Sequence, residues 1–251
     1  MFRLFFMLLL LGHILGDFYI QSHKMAQKKD KSLIWVFIHG ASYLGAMILV
    51  FIPIISWDIV AVLIIVATVH LIIDMVKHFF LLEIVKKGKM SREMERNVFF
   101  LDQALHTICI IFIAYGMDLS HIVAREVINI SDFFITIGIC QQQLLSWFLA
   151  LLIIHKPSNI AIQKLLMIYR PECKEEAKQG YRNAGKFIGS IERIIILIFL
   201  SIQEYAAIGL VLTAKSIARY DKISKEKNFA EYYLLGTLIS TLIGIIVSFI
   251  L

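Results

Sequence analysis

Long apolar stretches, separated by short polar connections, run through most of this 251-residue sequence. A membrane-spanning helix needs about 20 mostly apolar residues to cross about 30 Å of hydrocarbon. Hydrophobic residues make up 59% of the chain and charged residues only 18%, which excludes an ordinary soluble domain. The pattern predicts an all-α, polytopic transmembrane helix bundle with about seven spans. The predicted spans are residues 4–20, 33–54, 59–82, 98–117, 133–154, 191–213 and 232–251.

The first apolar stretch begins like a secretory signal peptide, because Arg3 precedes the apolar run 4–11. No small-residue cleavage site follows this run, and His13 and Asp17 continue the segment instead. We therefore expect the stretch to be retained as the first membrane helix.

Basic residues are concentrated in alternate connections, and the positive-inside rule places such connections in the cytoplasm. Connections 21–32 and 83–97 are rich in lysine and arginine, whereas 53–58 contains neither. The N-terminus is therefore predicted outside, in a multi-pass protein of the plasma membrane. This topology also explains the net charge of +6 without a nucleic-acid partner, and the lipid bilayer is the expected surrounding.

The basic residues after span 191–213 conflict with this rule. A single crossing would place the lysine-rich segment 215–227 outside. The alternative is a re-entrant hairpin over 191–218 that turns near Gln203 and Glu204 and returns to the cytoplasm. Such backbone at membrane depth is tolerated where protein or a wet cavity surrounds it. The sequence leaves both topologies open.

A change in polar composition near residues 117–131 divides the chain into two predicted modules. Residues 1–117 form a four-helix transmembrane module that carries the intramembrane histidines and aspartates. Residues 118–251 form a C-terminal transmembrane module with a cytoplasmic insert at 155–190.

Pairs of histidine and aspartate, four residues apart, lie inside three of the predicted spans, and a further histidine lies in a fourth. Ionisable side chains inside a membrane cost a few kcal/mol each, so they usually face one another or mark a site. Residues four apart share one face of a helix. These residues are His13 and Asp17, His70 and Asp74, Asp102 and His106, with His39 as the additional histidine.

The alternation of antiparallel spans places these side chains in a single layer. Counted from the predicted cytoplasmic ends, they lie about 5–18 Å deep at about 1.5 Å per residue. Gly12 and Gly16 flank His13, and Gly40 follows His39, a pattern of small residues that predicts close approach of the helices. The sequence therefore predicts one polar centre.

Imidazole and carboxylate ligands suit zinc first, with manganese or iron as alternatives, whereas calcium prefers more oxygen ligands. Four histidines and three aspartates exceed the needs of one tetrahedral ion. Either two metals bind, or some aspartates orient the imidazoles from outside the coordination sphere. A metal-free proton relay and a purely structural polar network are the alternatives.

Four further histidines lie at the ends of spans or in connections, where exposure to water is expected. They are His23, His78, His121 and His155.

Four strings in the first 110 residues or so resemble a bacterial family of integral membrane proteins known as domain of unknown function 3307. These strings contain every histidine and aspartate of the predicted centre, and later strings at 184–197, 207–220 and 230–241 resemble longer members of the family. The resemblance implies a bacterial inner-membrane protein and brings no activity with it. The four strings are residues 10–29, 37–40, 69–77 and 99–106.

The ligand chemistry favours a membrane-embedded, metal-dependent enzyme, specifically a hydrolase acting on a lipid or phosphorylated amphiphile from the cytoplasmic side. Asp17, Asp74 and Asp102 are expected to be ligands or general bases, and Lys77 an anion contact. One alternative is a metal-ion or proton-coupled transporter, which would account for the hairpin and a buried Glu204. The other is a non-catalytic accessory protein of the membrane.

Overall fold

The computed structural model describes residues 1–88, 90–125, 130–169 and 179–251, without the side chains of 130 and 179–184. These residues form helices and contain no strand, which confirms the predicted all-α bundle. Among the described residues, six helical segments are long and apolar enough to cross a membrane. They are Phe2–Ile20, Leu33–Ile54, Trp57–Lys86, Arg92–Leu119, Gln141–Leu166 and Lys227–Ser248.

The chain divides into two compact units, Met1–Leu145 and Ser146–Leu251. The first unit contains helices α1 (Phe2–Ile14), α2 (His23–Lys29), α3 (Leu33–Phe51), α4 (Trp57–Lys86), α5 (Arg92–Leu119) and α6 (Ile130–Thr136), with a π-helical turn at Leu15–Ile20 and a 3₁₀ turn at Ile52–Ile54.

Serine hydroxyls define where two of these helices begin. Ser22 accepts a hydrogen bond from the Met25 backbone N–H at 3.2 Å, at the start of α2. Ser91 accepts one from the Met94 N–H at 3.1 Å, at the start of α5. Each hydroxyl satisfies an N–H that has no partner within the helix. It therefore fixes the residue at which the helix begins.

An apolar core forms on the side of the bundle away from the histidines and aspartates, where α1, α3, α4 and α5 pack together. Phe5 and Leu9 of α1 belong to one buried cluster with Phe51, Leu63 and Met117. Burial of these large side chains stabilises the packing of the four helices. It leaves the polar residues together in the other half of the bundle.

Glycines bring α1 close to α3. A Cβ atom on Gly16 would lie 2.7 Å from Cδ2 of Tyr43, and one on Gly12 would collide with Sδ of Met47. A Cβ on Gly40 would lie 3.1 Å from a leucine Cδ1 of α4. The close approach predicted from these small residues is confirmed, and it holds the polar faces of the helices together.

The second unit contains most of α7 (Gln141–Leu166) together with α8 (Gln179–Ser201), α9 (Tyr205–Ile217), α10 (Tyr220–Lys225) and α11 (Lys227–Ser248). Pro157 lies inside α7 and has no N–H for the Ile153 carbonyl. The hydroxyl of Ser158 donates to that carbonyl at 2.7 Å instead, which satisfies it within the helix.

The predicted span 133–154 is wrong. Helix α6 ends at Thr136 and α7 begins at Gln141, with Gly138 between them at a φ of 69°. That left-handed conformation suits glycine, and it interrupts the helix that the apolar run predicts. Helix α7 then continues into the first part of the expected insert 155–190, of which residues 170–178 lie outside the described part of the chain.

The predicted span 191–213 is not one continuous helix. Helix α8 ends at Ser201 and α9 starts at Tyr205, and between them Gln203 adopts a φ of 61°. The 13 residues of α9 extend only about 20 Å, short of about 30 Å of hydrocarbon. The break lies where the hairpin alternative requires it, but Glu204 is exposed, whereas the transporter alternative expected it to be buried. The membrane side reached by each end stays a prediction.

Arg193 of α8 is buried and joins three helices of the second unit. Its Nε donates to the Ile154 carbonyl at 2.9 Å, its Nη1 to Ser240 Oγ at 3.0 Å, and its Nη2 to Asn159 Oδ1 at 2.8 Å. The rigid fork of guanidinium donors suits such divergent acceptors.

Candidate metal centre

A π-helical turn presents Asp17 to the rest of the bundle. The Gln21 N–H bonds to the Gly16 carbonyl five residues earlier, at 3.2 Å, and such wide turns are frequent at functional sites. Oδ2 of Asp17 lies 4.0 Å from Nε2 of His13. Oδ1 points instead towards α3, where it lies 3.2 Å from Nε2 of His39.

Four atoms of metal-ligand type meet where the π-helical turn, α3 and α4 converge. Nε2 of His39 lies 3.1 Å from Nε2 of His70, 3.2 Å from Asp17 Oδ1 and 3.4 Å from Asp74 Oδ2. Nε2 of His70 lies 3.3 Å and 3.5 Å from the same two oxygens. We call Asp17, His39, His70 and Asp74 the primary site. Their side chains are at most 6% exposed.

Hydrogen bonds alone do not account for this arrangement. An ionised carboxylate only accepts, and an imidazole Nε2 carries at most one hydrogen, which points in one direction. Since the Nε2 atoms of His39 and His70 face each other at 3.1 Å, hydrogens on both would repel. At most one hydrogen can therefore lie between these two nitrogens. A cation at the centre would attract all four ligand atoms.

The distances from the two imidazole nitrogens of the primary site match those between ligands of one metal ion. Zinc bonds of about 2.0–2.2 Å place neighbouring tetrahedral ligands about 3.3–3.6 Å apart. The five distances above, each of which involves His39 or His70 Nε2, span 3.1–3.5 Å. The same ligands also suit manganese or iron. The residues present therefore fit a divalent transition-metal ion.

Lys29 pairs with the primary site, which the sequence analysis missed because it placed this lysine in an exposed basic connection. Its Nζ donates to both oxygens of Asp74, at 2.9 and 3.0 Å. The Lys29 carbonyl in turn accepts a hydrogen bond from Nδ1 of His78 at 2.9 Å. The expected exposure of His78 is wrong, since only 4% of it is accessible. His23, His121 and His155 are exposed, as expected.

Tyr43 fixes the plane of one imidazole of the primary site. Its ring stacks on His70 with centroids 3.6 Å apart and an angle of 10°. Its hydroxyl lies 3.5 Å from Nδ1 of His13. The sequence analysis also missed this residue, because a tyrosine in an apolar helix usually belongs to the core. Its position one turn after His39, on the same helix face, is the signal that could have found it.

Helix α5 adds Asp102 and His106 on the other side of His70. Lys77 of α4 donates to Oδ2 of Asp102 at 2.7 Å. The ring of His106 lies edge-on to His70, with centroids 4.3 Å apart, and its centroid is 5.3 Å from that of His13. Hydrogen bonds are absent from both ring nitrogens of His106 and from Asp102 Oδ1 within the described residues, although these atoms are buried.

The predicted convergence on one polar centre is therefore confirmed, while the roles of ligand and catalyst stay predictions. The residues brought together are the predicted ligands His13, Asp17, His39, His70, Asp74, Asp102 and His106, with the predicted anion contact Lys77.

The whole centre lies within the part of the chain that matches one protein family. A family model described as "Protein of unknown function (DUF3307)" matches residues 5–135, a range that includes every residue of the centre. No match was found among curated proteins or among solved structures.

Proposed function

The chain belongs to the DUF3307 family of proteins of unknown function, and we propose that it is a membrane-embedded, metal-dependent hydrolase. It acts on a lipid or phosphorylated amphiphile reached from the cytoplasmic side of the membrane. The observation that carries this proposal is the primary site, in which the Nε2 atoms of His39 and His70 lie 3.1–3.5 Å from each other and from one oxygen of each aspartate, as ligands of one ion do. Zinc is the first choice of metal, and manganese and iron are the alternatives.

The charge balance of the centre supports a bound cation. Imidazoles that bind a metal are neutral, so three carboxylates and two lysine ammonium groups leave one negative charge. A divalent ion reverses the sign and leaves the centre positive, which suits an anionic substrate. The charged residues are Asp17, Asp74, Asp102, Lys29 and Lys77.

A divalent ion held by these residues would supply Lewis acidity, which would polarise a phosphoryl or acyl oxygen and make water a stronger acid. An aspartate of the centre that does not bind the ion would accept the proton that the attacking water loses. Lys77 has a side chain that is 20% exposed, compared with 8% for Lys29, so it can reach an anionic group at the edge between α4 and α5. It then holds the substrate while the bond to its leaving group is hydrolysed.

Metal analysis of detergent-purified protein tests the metal part of the proposal. We expect at least one transition-metal ion per wild-type chain and about a tenfold or greater loss of metal affinity in His70→Ala, which removes a ligand. Asp74→Asn removes a ligand charge at nearly constant size and is the second test variant. His155→Ala, at an exposed histidine, is the matched control and should keep its metal. Wild-type protein that stays metal-free after incubation with zinc would contradict the proposal.

Hydrolysis is tested with metal-loaded protein in vesicles that contain a phosphorylated lipid or a fluorogenic ester lipid. We expect release of phosphate or fatty acid, and loss of that release on chelation. Lys77→Met should slow turnover while the metal content stays unchanged, and Lys24→Met, at an exposed lysine, should turn over normally. Metal-loaded protein that hydrolyses neither class of lipid contradicts the enzymatic part and leaves the metal site standing.

Burial of the primary site favours one second candidate, a metal-ion transporter. The ligand side chains are at most 6% exposed, and a small ion needs less access than a lipid does. Transporters hold their cargo at such buried intramembrane sites. Proteoliposomes with an internal metal indicator separate the two functions, because uptake without hydrolysis supports transport.

A further inference from the structure

A second set of ligand atoms lies beside the primary site, on His13, Asp102 and His106. We propose that these residues bind a second divalent ion and that Asp17 bridges the two ions. This inference rests on the proposed function and deepens it, because a two-metal centre points to phosphate esters as the substrate class.

The first argument is the number of buried atoms that lack hydrogen-bond partners. Within the described residues, His13 Nε2, Asp102 Oδ1 and both ring nitrogens of His106 are buried and have none. The three residues are at most 6% exposed. Native proteins rarely leave buried polar atoms unsatisfied, and several together call for an ion or water. Two imidazoles and a carboxylate favour a metal ion.

The second argument is that ligand atoms of Asp102 and His106 lie close enough to share an ion, with the ring of His13 beside them. Asp102 and His106 are one turn apart on α5, and their ligand atoms lie with one of Asp74 in a group within 4.8 Å of one another. The imidazole centroids of His13 and His106 are 5.3 Å apart. His13 of α1 therefore offers a further imidazole beside the pair on α5.

The third argument is the orientation of Asp17 between the two sets. Its Oδ1 belongs to the primary site, 3.2 Å from His39 Nε2, while its Oδ2 lies 4.0 Å from His13 Nε2. A carboxylate in this position can give one oxygen to each of two ions. Two-metal hydrolytic sites hold their ions about 3.5–4 Å apart, a separation that such a bridge allows.

Two ions change the electrostatics enough to favour one substrate class. The carboxylates and lysines of the centre leave one negative charge, so two divalent ions bring it to three positive charges before substrate binds. A phosphate monoester carries about two negative charges at neutral pH, whereas a carboxylic ester carries none. Paired ions also stabilise the attacking and leaving oxygens of a phosphoryl transfer. We therefore infer a phosphate monoester of an amphiphile as substrate.

Metal stoichiometry tests the second ion. Chelated protein is reloaded with Mn²⁺, and bound metal is counted by mass spectrometry and examined by electron paramagnetic resonance. Wild-type protein should bind two ions per chain and give the spectrum of an exchange-coupled pair. His106→Asn and Asp102→Asn should each bind one ion with an uncoupled spectrum, and that retained ion shows that the variant is folded. His155→Asn should bind two coupled ions, like the wild type.

One uncoupled ion in the wild type, unchanged by His106→Asn, overturns the second ion and leaves the proposed function intact. Loss of both ions in both His106→Asn and Asp102→Asn also overturns a separate second site. No bound metal in the wild type overturns this inference and the proposed metal centre together. Two coupled ions, together with release of phosphate from phosphate monoesters and no hydrolysis of acyl esters, support the substrate class. Hydrolysis of acyl esters alone contradicts it.

Discussion

The Nε2 atoms of His39 and His70 lie 3.1 Å apart, with carboxylate oxygens of Asp17 and Asp74 within 3.5 Å of both. Lone pairs of buried ligand atoms directed at one region repel one another less when a cation lies between them. Occupation of the primary site should couple directly to stability.

Metal removal should lower the thermal stability of the wild type. A ligand that binds only the folded state stabilises it by about 2.7 kcal/mol at 100 times its Kd, roughly 5–10 °C in Tm for a chain of this size. Differential scanning fluorimetry in detergent, with zinc or with chelator, measures the shift. His70→Ala should show a clearly smaller shift than the wild type. An equal zinc shift in His70→Ala and wild type would place the binding elsewhere.

Lys29 should contribute more to stability when the metal is absent than when it is bound. Both members of its pair with Asp74 are buried, and removal of one partner from such a pair costs about 3–5 kcal/mol. Lys29→Met should therefore unfold well before wild type in chelator, and the difference should shrink in zinc, because the ion also compensates Asp74. Chemical unfolding in mild detergent measures both differences.

The control for this prediction is Lys24→Met, in the same helix at an exposed position, which should change stability little. Combination of Lys29→Met with Asp74→Asn should recover part of the loss, because no uncompensated carboxylate remains. Equal stability of Lys29→Met and Lys24→Met in chelator would show that the pair with Asp74 is unimportant.

The convergence of the centre could be predicted from the sequence because two regular geometries determine it. Helical periodicity places His70 and Asp74 on one face, and alternation of spans places them at the depth of Asp102. Lys29 could not be predicted in the same way. Its burial depends on α2 packing towards α4, where its carbonyl meets His78, and no periodicity within α2 distinguishes it from neighbouring lysines.

The wrong spans have a related cause. Apolar residues predominate in 133–154 and 191–213 although each contains polar residues, among them Gln141 and Gln203, so average composition predicts a continuous helix in each. The breaks arise from single residues with left-handed backbone, Gly138 and Gln203. Glycine adopts that conformation readily, but a glycine in an apolar run is also common in membrane helices. Composition therefore identifies the apolar segments and leaves their ends undetermined.

Gly16→Ala should weaken the centre by displacing Tyr43. The new Cβ would lie 2.7 Å from the Tyr43 ring, which stacks on His70, and overpacking of this kind costs about 1–3 kcal/mol. Gly45→Ala is the matched control, because a Cβ there meets nothing within 4 Å and alanine is the better helix former. Calorimetric zinc titration should show weaker binding in Gly16→Ala alone. Unchanged affinity in Gly16→Ala would mean that Tyr43 does not position His70.

Lys222→Cys tests the hairpin topology of 191–218. If the chain turns at the break between α8 and α9, the exposed position 222 lies in the cytoplasm. A membrane-impermeant maleimide should then label it only after cells are permeabilised. Ser120→Cys lies in the connection after span 98–117, which the alternation of the predicted spans places outside, and it should be labelled in intact cells. Wild-type protein gives the background of the native cysteines. Labelling of Lys222→Cys in intact cells would favour a single crossing.

Arg193 should be the most important polar residue for stability of the second unit. Its guanidinium bonds to Ile154, Ser240 and Asn159 on two other helices, and hydrogen bonds from charged donors contribute about 1.5–3 kcal/mol each. Arg193→Met should lower the free energy of unfolding by about 3 kcal/mol or more. The matched control is Arg219→Met, at an exposed arginine, which should change it by less than about 0.5 kcal/mol.

Arg193→Lys distinguishes the geometry of these bonds from the charge alone. Lysine keeps the charge, but its single ammonium group cannot reproduce the divergent donors of the guanidinium. We therefore expect this variant to lie close to Arg193→Met in chemical unfolding, with the carbonyl of Ile154 or the amide of Asn159 left without its donor. Wild-type stability in Arg193→Lys would show that a buried positive charge, and not the joining of three helices, is what the second unit requires at this position.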